Sequence, residues 1–375
     1  MKLKIITVVG TRPEIIRLSR IIKKLDSYFN HVLVHTGQNY NFELSNIFFK
    51  ELKLRKPDFN LNCKSKNAIE FISKSLMRFD KILESEKPDA VLVLGDTNSA
   101  LTVVCAKKRK IPIFHIEAGN RCFDETVPEE INRKIVDHIS DINMTYSSYA
   151  SSNLRSEGIH QDRIIKIGSP LYEVYNYYST QIDISNILKK LKLSSQNYIL
   201  ASIHREENVD NKKNLESIFN SIVKLRKKLN LNVIFSSHPR IQKKIKQFNL
   251  KVDKRIFFYK PFGFFDYVKL MKNAKIILSD SGSITEETSI LSLPSVNLRT
   301  SNERQEGMER GLTIMSGLNS RDVLNAAEIT MSNKKKESIN SKIYYDYAIS
   351  DVSETVVKII QSYTHYVNKK TWFKL

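Results

Sequence analysis

Short apolar runs recur along the whole chain, and most of them are followed by a polar turn and then by an amphipathic stretch. The first run covers residues 4–9 and precedes an amphipathic stretch at 15–25. This pair predicts a buried strand, a loop and a helix, with Pro13 at the first helical position. Repeated units of this kind indicate an α/β fold with mostly parallel sheets and helices on both faces. The other predicted strands cover residues 31–35, 90–94, 111–116, 198–203, 232–236, 256–259, 276–279 and 295–298.

The strand pattern pauses around residues 164–170 and resumes at residue 198. A chain of 375 residues is also too long for one ordinary domain. We therefore predict two Rossmann-like domains, an N-terminal one over residues 1–168 and a C-terminal one over 169–350. Open sheets of this class bind ligands at the carboxyl ends of their strands, so the two domains are expected to face each other across a cleft.

The chain is strongly basic, with 60 Lys and Arg against 40 Asp and Glu and a net charge of +20. Such an excess attracts anions, which leaves nucleic acid, anionic membranes and phosphorylated small molecules as candidate partners. The basic residues lie in short scattered runs, at 107–110, 243–246 and 334–336, without clear aromatic stacking platforms or a basic amphipathic helix. This favours a solvated Lys-rich surface, and we expect no nucleic-acid partner and no membrane insertion.

Three cysteines, Cys63, Cys105 and Cys122, form no C-x-x-C pair and cannot all pair internally. This pattern is typical of a protein in the reducing cytoplasm. Arg12 and Glu14 interrupt the N-terminal apolar run before a signal sequence or a span of about 20 residues could form. We expect a cytoplasmic protein without a transmembrane segment.

Several common catalytic motifs are absent from the sequence. There is no G-x-G-x-x-G after a strand and no G-x-x-x-x-G-K-[ST], which disfavours dinucleotide redox chemistry and P-loop hydrolysis. There is no H-E-x-x-H, no His and Cys cluster at zinc spacing and no G-x-S-x-G elbow, which disfavours metal and serine-hydrolase chemistry.

Charged residues follow several predicted strands of the first half. Gly10-Thr-Arg-Pro-Glu14 places Arg12 in a loop before a helix N-terminus, which favours a bound phosphate; the alternative is a surface ion pair with Glu14. Asp96 follows an apolar strand directly, either as a functional carboxylate or as the cap of the next helix.

Carboxylates also accompany the next strand and the helix after it. His115 and Glu117 are expected on the same side of an extended segment, with a hydrogen-bonded core histidine as the favoured interpretation of His115. Glu129 and Glu130 fall in the first turn of a helix, where the dipole stabilises negative charge. Convergence of Asp96, Glu117 and Glu129 would instead create acid and base roles.

The second half repeats the theme with basic and hydroxyl side chains. His204 and Arg205 follow one strand, and His238 and Arg240 follow the next, as donors suited to an anionic ligand. Residues 281–283 form a Gly-containing turn before a helix, which predicts a phosphate site, or else a Ser-rich cap without a ligand. Glu287 in the first turns of that helix is placed to accept hydrogen bonds from ribose hydroxyls.

An ordered set of motifs resembles the non-hydrolysing UDP-N-acetylglucosamine 2-epimerase family over nearly the whole chain. These motifs are Gly10-Thr-Arg-Pro-Glu, Gly95-Asp-Thr, His115-Ile-Glu-Ala-Gly, Pro128-Glu-Glu-Ile-Asn-Arg, His204-Arg and Asp280-Ser-Gly-Ser-Ile-Thr-Glu-Glu. The resemblance implies a glycosyltransferase-B type fold in which a C-terminal helix, here 351–375, returns to the first domain, and in which the second domain binds UDP.

The resemblance also implies the chemistry, which is C2 epimerisation of a UDP-sugar by anti elimination of UDP to a glycal and re-addition. It implies no NAD and no metal, and a homodimer. The matching catalytic positions are Asp96, Glu117, Glu129 and His204. The matching substrate and UDP positions are Arg12, Arg17, Arg205, His238, Phe262, Ser281, Gly282, Ser283, Glu287 and Arg304.

Departures from the family pattern concentrate near the sugar positions. Where Ala-Gly-Leu-Arg-Thr-Gly-Asp is common, this chain has Ala118-Gly-Asn-Arg-Cys-Phe-Asp124. Arg17 replaces a usual Lys, a usual Gln is replaced in Pro261-Phe-Gly-Phe-Phe265, and Asp-Ser-Gly-Gly has become Asp280-Ser-Gly-Ser283. These variants resemble the subgroup that makes UDP-N-acetyl-L-fucosamine from UDP-2-acetamido-2,6-dideoxy-L-talose, for capsule or O-antigen synthesis.

Three alternatives remain open from the sequence. The nearest is the UDP-N-acetylglucosamine to UDP-N-acetylmannosamine epimerase itself. A glycosyltransferase of the same fold is the second, although it would not require three placed carboxylates. The third is a basic protein that binds nucleic acid or a membrane surface, whose binding would weaken steeply with salt.

Overall fold

Two parallel sheets organise the part of the chain that the computed structural model describes, which is residues 2–38, 42–237, 239–332 and 344–374, with side chains at 42–46 and 239 left out. The strands are β1 Lys4–Val9, β2 Asn30–His35, β3 Phe59–Asn60, β4 Ala90–Leu94, β5 Ile113–Ala118, β6 Ile142–Thr145, β7 Ile164–Lys166, β8 Tyr198–Ile203, β9 Asn232–Ser237, β10 Ile256–Tyr259, β11 Ile276–Ser279, β12 Ser295–Asn297 and β13 Ile314–Met315. The predicted α/β class with parallel sheets is confirmed.

Helices connect these strands. They are α1 Arg12–Tyr28, α2 Phe42–Glu51, α3 Ala68–Glu86, α4 Val103–Lys108, α5 Pro128–Ile139, α6 Ser148–Ser156, α7 Leu171–Tyr177, α8 Ser179–Asp183, α9 Ile187–Lys190, α10 Glu206–Val209, α11 Lys212–Leu229, α12 Pro239–Gln247, α13 Phe264–Asn273, α14 Ile284–Leu291, α15 Gln305–Glu309, α16 Ser320–Ser332 and α17 Val352–Lys370. In the described ranges, no helix is both long and apolar enough to cross a membrane.

Both sheets have the same Rossmann-like strand order. The first runs β3-β2-β1-β4-β5-β6-β7 and the second β10-β9-β8-β11-β12-β13, with every pair parallel. The order reverses between β1 and β4 in the first sheet and between β8 and β11 in the second. Ligands of open α/β sheets bind beyond the carboxyl ends of strands at such a reversal. The loops after these four strands are therefore where each unit is expected to carry its functional groups.

The chain divides into two compact units, Met1–Tyr177 with Tyr345–Leu375, and Tyr178–Tyr344. The first unit extends beyond the boundary predicted after residue 168, because α7 lies against α1, with the Arg20 guanidinium 3.5 Å from the Tyr177 ring centre. The C-terminal segment rejoins the first unit at Tyr345, whereas the predicted start of that segment was residue 351. The earlier start reflects the hydrogen bond from Ser169 N to Asp346 O at 3.0 Å. Helix α17 then packs on α1.

Apolar runs form the central strands because both faces of each sheet are covered. All five residues of β4 are buried, as are five of the six in β8. Their side chains belong to the apolar cores on either side of the sheets. The strands that the sequence pattern missed are short or carry polar residues. Strand β6, for example, includes the buried Asn143, whose side-chain amide donates to Asp137 O at 3.0 Å.

Candidate active-site residues in each unit

The loop after β4 carries Asp96 at the strand reversal of the first sheet. Gly95 turns the chain with φ +74°, and Arg133 of α5 then holds the Asp96 carboxylate through Nη2 at 2.5 Å and Nε at 3.0 Å. Asn132, the neighbour of Arg133, donates to Asp96 O at 3.0 Å. The Asp96 carboxylate is thus an anchored acid, and the alternative role as a helix cap is not what its contacts show.

Glu117 lies in a strained backbone at the end of β5. Its φ is +67°, and the register of β5 against β6 shifts between Ile116 and Ala118. The prediction that His115 and Glu117 lie on one side assumed regular side-chain alternation. The bulge interrupts that alternation at Glu117, so the assumption does not hold there. A non-glycine residue in this region costs roughly 1–3 kcal/mol and persists where the surroundings impose it, often at active sites.

Several groups lie around the Glu117 carboxylate, and Asn120 Nδ2 donates to its Oε1 at 3.5 Å. Oε2 lies 3.8 Å from Arg17 Nε, the Tyr146 hydroxyl donates to it at 3.4 Å, and a Cβ placed on Gly95 would lie 3.9 Å away. The Glu117 side chain is only 15% exposed. The structure therefore brings Glu117 and Arg17 together beside the loop that carries Asp96.

The adjacent glutamates of α5 have different environments. Glu130 is fully buried, and its carboxylate accepts the backbone amides of Cys122 and Phe123 at 3.1 and 3.0 Å and Arg133 Nη1 at 2.5 Å. Burial would raise the pKa of Glu130, but the Cys122 amide and the Arg133 charge outweigh it and lower that pKa. Glu130 is therefore a structural carboxylate that fixes the preceding loop.

Glu129 is half-buried. It stands one helical turn before Asn132 and Arg133, and residues three and four apart share a helix face. Glu129 is thus on the face of α5 that meets the Asp96 loop. The helix dipole stabilises both glutamates alike, but Glu130 is fully buried and Glu129 is not.

The loop after β1 is organised by Glu14. Its carboxylate accepts the amides of Gly10 and Thr11 at 2.5 and 2.8 Å and the Thr97 hydroxyl at 2.6 Å. Burial raises the pKa of Glu14 to about 7, against the opposing effect of these hydrogen bonds. Arg12 is the first residue of α1 rather than a loop residue, and its guanidinium lies 5.9 Å from the Phe48 ring centre.

In the second unit, Asp280 ties together the loops after β8 and β11. It is fully buried and accepts the backbone amides of His204 and Arg205, both at 3.0 Å, and the Asn208 side chain at 3.0 Å. The His204 ring lies with Nδ1 3.2 Å from Asp280 Oδ1 and is 52% exposed. Burial would raise the pKa of Asp280, but His204 and Asn208 outweigh it and lower the pKa. Asp280 therefore orients an accessible imidazole.

The Gly-containing turn after β11 is compact. Ser281 and Ser283 share a hydroxyl contact at 2.9 Å. Arg304 donates from Nε to Gly282 O at 3.2 Å and pairs through Nη2 with the fully buried Glu286 at 2.9 Å. Arg304 is itself only 2% exposed, so its observed contacts hold the turn. Glu287, next to Glu286, is half-buried in the first turn of α14.

An ion pair that the sequence did not single out lies against this turn. Arg299 Nη1 donates to Glu303 Oε2 at 2.6 Å, and Arg205 Nη2 lies 3.7 Å from Glu303 Oε1. A Cβ on Gly282 would meet the Glu303 carboxylate, so a larger residue here would displace the Glu303 side chain. Arg133, Asp137 and Asp280 were also missed as site residues. Arg133 and Asp280 lay inside the quoted motifs, whereas Asp137 lies one helical turn after the motif that ends at Arg133.

The remaining predicted positions have other environments. Phe262 is partly buried in the core and lies 5.7 Å from the Tyr259 ring, centre to centre. Arg240 donates to Glu206 at 2.5 Å and to Asp210. These surface ion pairs, rather than an anionic ligand, occupy its guanidinium. His238 lies outside the described residues. Within the described ranges, no three His, Cys, Asp or Glu side chains are arranged to hold a metal ion.

Comparison with known proteins places these features in one family. The family model described as UDP-N-acetylglucosamine 2-epimerase matches residues 23–361. The UDP-N-acetylglucosamine 2-epimerase structure from Rickettsia bellii is 44% identical, covers all of both chains and has a TM-score of 0.92. The Methanocaldococcus jannaschii UDP-GlcNAc 2-epimerase, in complex with UDP-GlcNAc and UDP, is 37% identical over 96% of this chain and 99% of that one, with a TM-score of 0.89.

One further relative shows the range of the family, and one structural neighbour shows the range of its fold. The UDP-2,3-diacetamido-2,3-dideoxy-D-glucuronate 2-epimerase of Pseudomonas aeruginosa is 30% identical over 95% of this chain and all of its own. The glycosyltransferase of kitacinnamycin, at 10% identity, a TM-score of 0.61 and coverage of 96% and 99%, shares the fold alone.

Proposed function

Because the chain belongs to the UDP-N-acetylglucosamine 2-epimerase family and is accordingly an isomerase of UDP-sugars, we propose that it inverts C2 of UDP-2-acetamido-2,6-dideoxy-L-talose to give UDP-N-acetyl-L-fucosamine. The product would supply capsule or O-antigen synthesis. The observation that carries the chemistry is the Glu117 carboxylate, which a strained backbone places beside the Asp96 loop.

The proposed reaction proceeds by elimination and re-addition. A base removes the C2 proton while the bond from C1 to the diphosphate oxygen breaks, so that UDP departs and a C1=C2 double bond forms. UDP then re-adds at C1 and a proton reaches the opposite face of C2. The C2 hydrogen is barely acidic because no carbonyl is adjacent to it, so a stabilised leaving group, a positioned base and a positioned proton donor are all required.

The first unit can supply the proton transfers. Asp96, Glu117 and Glu129 are the proposed acid and base groups, with Glu130 kept apart as a structural residue. Arg133 holds Asp96, and Arg17 lies 3.8 Å from Glu117, so both of these carboxylates have a neighbouring cation. Arg12, at the start of α1, is proposed as a phosphate ligand.

The second unit can supply the stabilisation of UDP. Ser281, Gly282 and Ser283 precede the N-terminus of α14, and His204 stands accessible on Asp280. Backbone N–H groups and the helix dipole at such a turn favour a diphosphate. Glu287 is the proposed ribose acceptor. Arg205, His238, Phe262 and Arg304 complete the proposed UDP set, Arg304 by holding the Gly282 turn.

The loop after β5 supports the choice of a 6-deoxy sugar. Phe123 is 67% exposed and has φ +55°, at a position where the related pattern has glycine. An aromatic group retained at such a position adds an apolar surface that suits a methyl group better than a hydroxyl. UDP-N-acetylglucosamine is the second candidate, since it is the substrate named for the Rickettsia and Methanocaldococcus proteins.

Proton NMR in D2O tests both candidates. Purified protein is incubated with the L-talo nucleotide and, separately, with UDP-N-acetylglucosamine, and C2 deuteration and product configuration are followed. We expect deuterated L-fuco product from the first. Exchange with UDP-N-acetylglucosamine alone would establish the second candidate, and no exchange with either nucleotide would contradict the proposal.

A pair of substitutions controls the assignment of chemistry. We expect Glu117→Gln to lower C2 exchange by at least about 100-fold, as removal of a general acid or base does. Glu84→Gln is the matched control, because its side chain is 72% exposed on α3, and exchange should be unchanged. Wild-type exchange in the Glu117 variant would remove the carboxylate from the mechanism.

A further inference from the structure

His115 lies completely buried on β5, with an acceptor at each ring nitrogen. Nε2 is 2.8 Å from Gly95 O, and Nδ1 is 2.9 Å from Asp137 Oδ1. A carbonyl oxygen can only accept a hydrogen bond, and so can an ionised carboxylate. A neutral imidazole has one N–H and would therefore face one of these oxygens with a lone pair.

Asp137 is held in its ionised form. Its Oδ2 accepts Arg121 Nη1 at 2.6 Å, and its two oxygens lie 3.3 and 3.1 Å from Gly119 N. Burial would raise the pKa of Asp137, but His115 and Arg121 outweigh it and lower that pKa. Arg121 in turn donates to Glu157 at 2.7 and 2.6 Å.

Charged groups stand on one side of the ring. Asp137 faces it from α5, Arg121 and Glu157 stand behind Asp137, and His138 Nε2 lies 3.2 Å from Glu157. Among the described residues, the neighbouring strands place Gly95 O next to the ring, after β4, and the neutral Asn143 at the register position on β6. With two protons on His115, its charge and that of Arg121 balance Asp137 and Glu157.

The hydrogen bond from Nε2 and the 2.9 Å contact between Nδ1 and Asp137 reach both loops that carry candidate carboxylates. Gly95 O belongs to the planar peptide that leads into Asp96, and Gly95 N is bonded to Ile116 O at 2.9 Å, so β5 holds Gly95 on both sides. Asp137 holds Gly119 N, two residues after Glu117. Rotation or loss of the ring would release both attachments.

We propose that His115 is a positioning residue, an imidazolium that holds the Asp96 peptide through the hydrogen bond from Nε2 and the loop after Glu117 through its ion pair with Asp137. This inference rests on the proposed function for its kinetic consequence. It extends the core-histidine interpretation, because the partners of the buried ring are the segments that carry the proposed acid and base.

Nitrogen NMR of the whole protein tests the protonation state directly. In uniformly ¹⁵N-histidine-labelled protein, we expect His115 to show two protonated ring nitrogens between pH 6 and 8, assigned by the signal that is lost in His115→Gln. A neutral tautomer across this range would overturn the proposal.

Kinetics test the positioning role. We expect His115→Gln to lower kcat by about 100-fold, the scale of an ångström-sized misplacement, with KM and the Kd for UDP changed less than threefold. His160→Gln, whose ring is 79% exposed, is the control and should keep wild-type kcat. A wild-type kcat for His115→Gln would also overturn the proposal.

The two proposals fail in different ways. If the wild-type protein exchanges no C2 proton in either nucleotide while His115 shows two protonated nitrogens, the proposed function fails and the charged state of His115 is confirmed. If exchange occurs and His115 is a neutral tautomer, the proposed function is supported and the proposal for His115 is wrong.

Discussion

Glu130 Oε1 accepts the backbone N–H of Phe123 at 3.0 Å, across the loop that joins β5 to α5. The same carboxylate binds Arg133, which in turn holds Asp96. One buried glutamate therefore determines the shape of the loop and the place of a candidate catalytic acid, while its neighbour Glu129 remains half-buried on the face toward the Asp96 loop.

Exchanging each glutamate for glutamine should separate these roles. We expect Glu130→Gln to destabilise the fold by about 3–5 kcal/mol, because Arg133 loses a buried partner. Glu129→Gln should change stability by less than about 0.5 kcal/mol yet lower turnover by at least about 100-fold. Urea unfolding and C2 exchange measure the two effects. Equal losses of stability in both variants would contradict the division.

Phe123→Gly tests the sugar preference. Removing an exposed side chain from a left-handed backbone should raise stability by about 1 kcal/mol, and loss of one apolar contact should lower the kcat/KM ratio of the L-talo nucleotide to UDP-N-acetylglucosamine by about tenfold. Phe373→Gly is a matched control in the same unit, since Phe373 is 84% exposed and has φ +49°. An unchanged ratio in the Phe123 variant would exclude this residue from substrate selection.

Glu14 should make stability depend on pH. Its pKa rises from 4.5 to about 7 on burial, so between these values the folded chain binds a proton that the unfolded chain does not. The resulting stabilisation is complete below pH 4.5 and is lost as the pH rises through 7, with a size of about 3 kcal/mol. Unfolding free energies of wild type and Glu14→Gln between pH 5 and 8 measure it.

The control for that experiment is Glu70→Gln. Glu70 also accepts a backbone amide before a helix, from Lys66 at 2.8 Å, but its side chain is 37% exposed and its Lys74 partner lowers its pKa. The difference in unfolding free energy between wild type and Glu70→Gln should stay constant between pH 5 and 8. A Glu14 difference that is flat with pH would show that Glu14 is ionised in the fold.

Gly119→Ala should be strongly destabilising. Gly119 has φ +82°, and a Cβ there would lie 2.2 Å from Ala150 O, a backbone atom that cannot move aside. We expect a loss of more than about 2 kcal/mol from strain and overpacking together. Gly158→Ala is the control, with φ +83° and open space around the Cβ, so it should carry the backbone strain alone. Similar losses in the two variants would remove the packing argument.

The sequence by itself determined the class of fold, the main strands and the family. Apolar runs such as those of β1, β4 and β8 become central strands because both sheet faces are covered, and this requirement is visible in a few consecutive residues. The order of Gly-Thr-Arg-Pro-Glu, His-Ile-Glu-Ala-Gly and Pro-Glu-Glu-Ile-Asn-Arg likewise identified the family without any coordinates.

Only the tertiary structure decided which charged residues are structural and which are accessible. Asp96 and Arg133 are 37 positions apart, and His204 and Asp280 are 76 apart, so no local pattern indicates that they are partners. The bulge that strains Glu117 depends on its pairing with β6, a strand too short and polar to be predicted. The energy of a buried charge depends on its partners, and folding alone brings those partners into contact.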